Sequence, residues 1–278
     1  SMPKSLLAFF FLFIMILFGF SCNKSPNDGV PAYLQIDSLS FISGPGQGSS
    51  LQFIPNLWLE SEGENIGVYE LPINATALVS GSRQVIVNAG VYFSGDFFNR
   101  EIYPAFQPYK TTVNFVPGET VSIIPEFKYY DACVYPINEN FENGNIFGAL
   151  TRTDLSDTNN LEGKALKITV NAATPSVRGV TSTSVSIPAF RQVYVEMHFK
   201  GDIDFALGIE SVRNGGVNQV VYVDRFFPNS YWYKVYYDIS DLVYSMDADT
   251  YNLFIEVLKF TDVDESTMYF DNIKIVVI

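Results

Sequence analysis

His198 is the only histidine in the chain. Three-histidine zinc sites, and any relay that needs a second imidazole, are therefore excluded within one polypeptide. A Ser-His-Asp arrangement around His198 would need a nucleophile elbow, and no Gly-x-Ser-x-Gly occurs. In Gln192–Lys200, Val193, Val195, Met197 and Phe199 share one strand face, while Tyr194, Glu196, His198 and Lys200 share the other, which is expected to be wetted. Gly44-Pro45-Gly46-Gln47-Gly48 lacks the Lys-Ser/Thr and the helix of a phosphate-cradling loop. Paired-carboxylate glycoside hydrolysis stays open, because 30 acidic side chains are present and their spacing across strands is unreadable. With no recognisable catalytic set, the expectation is a non-enzyme. Aromatic residues offer a different chemistry. Trp58, Tyr231, Trp232 and Tyr233 could stack on the apolar faces of pyranose rings, although core packing competes for the same residues.

The charge balance narrows the partners. Lys and Arg number 17 against 30 Asp and Glu, a formal net charge of −13. That sign repels phosphate backbones, so no nucleic-acid partner is expected. Aromatics make up 15% of the chain, a composition suited to β packing. Cys133 lies in the strand-like run Tyr129–Tyr135 and reads as a small buried hydrophobe.

The beginning of the chain carries the clearest address. Lys4 is followed by an apolar run from Leu6 to Phe20, then Ser21 and Cys22. The run is shorter than the roughly 20 residues a bilayer span needs. It resembles a bacterial lipoprotein signal, with Gly19 where the usual motif has Leu. The resemblance implies removal of residues 1–21, acylation of Cys22, and an outer-membrane protein held by lipid, with the extracellular face favoured. Each buried acyl methylene contributes about 0.8 kcal/mol, so such an anchor holds even an acidic protein. Residues 22–31, with Pro26 and Pro31 and no periodicity, read as a tether.

From residue 32 the pattern is strand after strand. Ala32–Ser43 alternates; Asn56–Pro72 reads as a hairpin; Ala77–Val79 and Arg83–Ala89 flank a Ser80-Gly81-Ser82 turn; Thr111–Phe115 and Thr120–Ile124 flank Pro117-Gly118. The segment Tyr92–Tyr109 is aromatic-rich and weakly periodic, and reads as a loop-rich edge that could dock a protein, in competition with a core role. The hairpin and the following Gly81–Ala89, with Tyr103-Pro104 and Val116-Pro117-Gly118-Glu119-Thr120, are similar to PEGA-like surface modules and to the N-terminal half of Bacteroidota-type outer-membrane lipoproteins. Such modules imply attachment rather than catalysis. Asp37-Ser38-Leu39 resembles an O-glycosylation acceptor of that group, here inside an expected strand.

Pro136 and its polar neighbours suggest a boundary near residues 135–140. Beyond it come expected strands at Ala165–Val170, Val180–Ile187, Gln192–Lys200, Asp204–Glu210, Asn218–Phe226, Trp232–Ile239, Tyr251–Phe260 and Met268–Ile278. Phe141-Glu142, the strand Trp232–Ser240 and the closing Tyr269-Phe270-Asp271-Asn272-Ile273-Lys274-Ile275 resemble galactose-binding-like jelly rolls, the fold of many carbohydrate-binding modules. The resemblance implies that Glu142 and Asp271 could meet around a structural calcium ion, which takes six to eight oxygen ligands.

The sequence thus predicts an all-β protein: a small N-terminal β-sandwich (32–135), then a jelly-roll β-sandwich (138–278), after a cleaved lipoprotein signal peptide. Its expected role is a non-catalytic binding or accessory subunit of an outer-membrane complex, with a membrane-protein partner. The alternative is surface glycan binding through the jelly roll.

Overall fold

The computed structural model describes residues 29–278 except 149, 189 and 260–263. The signal, Cys22 and the tether up to residue 28 lie outside the described residues. Among the described residues, no helix is long and apolar enough to cross a membrane.

The first half contributes β1 (Ala32–Ile36), β2 (Ser40–Phe41), β3 (Asn56–Ser61), β4 (Glu64–Tyr69), β5 (Ile73–Ala77), β6 (Gly81–Tyr92), β7 (Arg100–Ile102), β8 (Tyr109–Phe115), β9 (Thr120–Ser122) and β10 (Glu126–Phe127). One sheet has the order β5-β1-β9, β10 pairs with β2, and a larger sheet runs β4-β3-β6-β7. The long strand β6 is its spine, with β3 on one edge and β8 followed by β7 on the other. Strands β1 and β5 alternate strictly between buried and open positions, so one face of each lines the core.

The second half contributes β11 (Val134–Glu139), β12 (Thr151–Arg152), β13 (Leu166–Asn171), β14 (Ser176–Val180), β15 (Val193–Gly201), β16 (Phe205–Arg213), β17 (Gly216–Phe226), β18 (Tyr233–Asp238), helix α1 (Ser240–Met246), β19 (Thr250–Leu258) and β20 (Glu265–Val277). One sheet follows β12-β13-β20-β15-β18, with β11 also on β20; the other follows β14-β19-β16-β17. From β13 to β16 and again from β17 to β20 successive strands alternate between the two sheets, as in a jelly roll, while β16 and β17 pair within one of them. Their inner faces meet in a core that includes Met197, Phe199, Phe205, Leu207, Ile255 and Phe270.

Several expectations change. Ala77–Val79 and Arg83–Ala89 do not form a hairpin: β5 joins β1, whereas β6 joins β3 and β8, and Gly81 and Ser82 belong to the strand. Local turn chemistry marks a bend but does not say which sheet the chain enters next. Ala32–Ser43 is broken between β1 and β2, which leaves Asp37 and Ser38 exposed in a connection. Residues 134–139, expected to interrupt the pattern, form β11 against β20. Of Val180–Ile187, only Val180 is in a strand, with an isolated bridge at Val185. Cys133 is buried, and burial pushes its thiol upward.

The largest correction concerns β15. Tyr194, Glu196 and His198 are not wetted; all three are buried. Their face is covered by the first half, whose core takes in Tyr194, Tyr236 and Val276 of the jelly roll.

Candidate functional site

Two surfaces are built where the halves meet. In the first, Glu196 stands at the centre of a buried polar cluster. Its Oε1 accepts a hydrogen bond from the Tyr103 hydroxyl at 2.8 Å, and its Oε2 accepts one from Tyr129 at 2.8 Å and pairs with Lys234 Nζ at 2.8 Å. Lys274 Nζ stands 4.0 Å from the same oxygen. The 44–53 segment supplies the remaining acceptors, with Gln52 Oε1 taking Lys234 Nζ at 2.6 Å and the Gln47 carbonyl taking Lys274 Nζ at 2.7 Å. Gly48, at φ +80°, lies so near Lys274 that an added Cβ would sit 3.2 Å from Nζ and 2.7 Å from Asn138 Oδ1.

The electrostatics follow from burial. Burial alone would raise Glu196, but Lys234 and then Lys274 outweigh it, and the carboxyl lies below its ordinary range. Lys274 is pushed down to about 8 by burial, with Glu196 pulling the other way and Lys234 adding to the fall. Burial, then Lys234 and Lys274, hold His198 well below the usual imidazole value, and its Nδ1 has no hydrogen-bond partner. His198 is a neutral buried side chain, not a surface one.

The second surface is open. Residues 93–99 turn tightly against the edge of β18: Ser94 N donates to the Tyr236 carbonyl at 3.0 Å, and Phe98 N donates to Asp96 Oδ1 at 2.9 Å. This turn forms one wall of a cleft of about 530 Å³. The other wall is Asp224–Asn229, and Phe199 and Tyr233 also line the space. Phe97, Phe98 and Phe227 are 51%, 90% and 76% exposed. Aromatic contacts continue inward from the rim: Phe98–Phe97 at 5.5 Å, Phe97–Tyr92 at 5.1 Å, Tyr92–Phe53 at 5.8 Å and Phe53–Tyr233 at 5.3 Å between centroids. Burial, then Tyr92, pushes the Tyr233 hydroxyl up to about 12, so it is a neutral donor at physiological pH. Asp96, Asp224 and Asn229 add polar groups along the same walls. The arrangement offers ring faces with carboxylate and amide groups beside them, which suits hydroxyl-rich, flat ligands.

The four aromatic residues expected to form a platform are not brought together. Tyr233 lines the cleft. Tyr231 is exposed next to that strand. Trp232 is half-buried and donates Nε1 to the Asn159 carbonyl at 2.9 Å. Trp58 lies in β3 of the first half, donating to Asn56 Oδ1 at 3.0 Å. Phe97 and Phe98 fall in the Tyr92–Tyr109 segment read as a loop-rich edge but are not among the expected stacking residues, and sequence reasoning missed Phe227.

Glu142, expected to meet Asp271, is the smallest of the influences on that carboxyl. Asp271 is raised to about 7, first by burial, with Glu162 and Glu142 adding to the rise against the hydrogen bond from the Asn272 backbone. Its Oδ2 is buried without a hydrogen-bond partner, while Oδ1 accepts from Asn272 N at 2.7 Å. Glu142 Oε1 accepts from Lys164 N at 2.7 Å, and Gly163, at φ +45°, leaves the space that the carboxylate fills. Among the described residues, no three His, Cys, Asp or Glu side chains converge as a ready metal site.

No family model matches the chain, and no curated protein matches it. Solved structures do match. The family 11 carbohydrate-binding module from Clostridium thermocellum, in complex with a β-1,3-1,4-mixed-linked tetrasaccharide, is 14% identical over 49% of this chain and 92% of its own, with a TM-score of 0.36. The CBM22-2 xylan-binding domain from Paenibacillus barcinonensis Xyn10C is 14% identical over 51% of this chain and 99% of its own, with a TM-score of 0.38. A structure described for promiscuous specificity among carbohydrate-binding modules of the β-sandwich superfamily is 13% identical over 90% of this chain and 99% of its own, with a TM-score of 0.39. None of their ligand contacts transfers to this chain at that level of similarity.

Proposed function

We propose that this chain is a lipid-anchored outer-membrane surface protein that holds a saccharide, without cleaving it, in the aromatic cleft between its halves. The observation that carries the reading is the exposure of Phe97, Phe98 and Phe227 around one 530 Å³ opening. Large aromatic side chains left in water around a concave site mark a place where a ligand covers them. The anchoring part rests on the Leu6–Cys22 pattern, which implies an acylated Cys22. A glycan array followed by calorimetry on the intact protein tests the binding part. Saturable binding to an oligosaccharide is expected, and no binding across a broad array sinks it.

A role as accessory subunit with a protein partner is favoured by one separate feature. Strand β17 is the last strand of its sheet and exposes Val217, Val220 and Tyr222, a surface to which a partner strand could add.

The Glu142–Asp271 corner is proposed as a structural calcium site. The partnerless Oδ2 of Asp271 supports the fit, because a buried carboxylate oxygen seeks a cation or a donor. A chelator is expected to lower the melting temperature of protein prepared with calcium, and an unchanged value removes the ion from the account.

A further inference from the structure

The end of the first half from which the chain leads back toward Cys22 is apolar. Ala32 pairs with Ala77, and Gly81 pairs with Phe115. Gly118 N donates to the Pro31 carbonyl at 2.8 Å, and Tyr33 N to the Glu119 carbonyl at 2.9 Å. These contacts gather residues 30–31, 78–80 and 116–119 at one tip. Connections at such places are ordinarily polar. Here Val30 is 45%, Leu78 78% and Val116 37% exposed, and the only charged residue in the three segments is Glu119.

We propose that this tip rests in the interfacial layer of the lipid bilayer. The occupant follows from three observations. Val30 is eight residues along the chain from Cys22, a span of at most about 30 Å even when fully extended, so the tip cannot stray far from an acylated Cys22. A net charge of −13 repels anionic head groups, and at this end Arg83, whose Nε donates to the Ser80 carbonyl at 3.1 Å, pairs with Glu62 at 2.7 Å and offsets the nearest acid. Finally, β6 starts at this tip and runs twelve residues to Tyr92, where the wall of the cleft begins. At about 3.3 Å per residue, the cleft stands up to about 35 Å from the lipid. This inference rests on the reading that Cys22 is acylated.

The test is hydrogen exchange, read by mass spectrometry, on protein tethered to vesicles of phosphatidylethanolamine with a minority of phosphatidylglycerol, against the same protein in solution. Amides of 78–81 and 116–119 are expected to exchange about tenfold more slowly on the vesicles, while 95–98 are unchanged. The L78D/V116D variant, still tethered and with the same circular dichroism, is expected to lose that protection. Unchanged exchange at both segments, or protection at 95–98 instead, overturns the proposal. The intact mass of protein from membranes reports on the anchor separately. Where Cys22 proves unmodified, coupling it to a maleimide-bearing lipid supplies the tether, since Cys133 is buried, and the exchange readout still decides the question of the tip.

Discussion

The two surfaces at the junction of the halves are opposites. Around Glu196 the contact is ionic and buried; around Phe98 it is aromatic and exposed. Taking Glu196, Lys234 and Lys274 out of water costs several kcal/mol per ion before pairing returns any of it. Such a cluster adds little net stability, but it penalises any arrangement in which one partner is missing. It is suited to holding the halves in one register. The cleft has the reverse economy of contacts: leaving a Phe in water forgoes about 1.5–3 kcal/mol of burial, which a ligand can recover. The closed face fixes the walls between which the open one is formed.

The largest expected effect is therefore on the closed face. Glu196→Gln keeps the shape but leaves Lys234 and Lys274 buried against a neutral amide, and should cost about 3–5 kcal/mol of unfolding free energy in urea titrations. Replacing both members of the closest pair, as in Glu196→Leu with Lys234→Met, should recover much of that loss. A single variant that costs less than about 1 kcal/mol would mean that water reaches the cluster.

A smaller effect of the same face is its response to pH. Burial pushes Lys274 down to about 8 in the folded protein, against about 10.4 when unfolded. Between those values the unfolded chain binds the proton that the folded chain has released, so this group's contribution to stability rises with pH, by at most about 1.4 kcal/mol per unit. Above pH 10 the sign reverses, because Tyr103, Tyr129 and Tyr236, raised well above the usual phenol value first by burial, stay protonated only when folded. Urea midpoints at pH 7.5, 8.5 and 9.5 should climb in the native chain and flatten in Lys274→Met. Equal slopes in both would remove Lys274 from the buried cluster.

Most strands could be read from the sequence, because alternation is a local property: Gln192–Lys200 and Asn218–Phe226 fall where β15 and β17 do. What covers a face is not local. Alternation groups Tyr194, Glu196 and His198 on one side but carries no information on whether that side meets water or another layer. The partners that bury Glu196 are 67 and 93 residues away, and Gln52 is 182 residues from Lys234. Helix α1, at seven residues, was too short for a periodic signal. The cleft did leave a local trace. Phe97-Phe98 and Phe226-Phe227 are adjacent aromatics beside Asp, Asn and Pro; the first pair sits in the 93–99 turn, and at the end of β17 neighbouring side chains point to opposite sides, so both members of the second cannot enter the core. Phe226 is buried and Phe227 is not.

The smallest expected change in stability falls on the open face, where it sharpens the contrast most. Phe98 is 90% and Phe227 76% exposed, so Phe98→Ala and Phe227→Ala should each shift unfolding free energy by less than about 0.5 kcal/mol. The same substitutions remove ring faces from the cleft wall. At about 0.5–1.5 kcal/mol per lost aromatic contact, each should weaken an oligosaccharide roughly 2- to 12-fold in calorimetry. Glu196→Gln should show the opposite profile under conditions where it stays folded, with a large loss of stability and little change in affinity. If Phe98→Ala destabilises as much as Glu196→Gln, the ring is structural. If it leaves both stability and affinity untouched, the ligand does not sit between these walls.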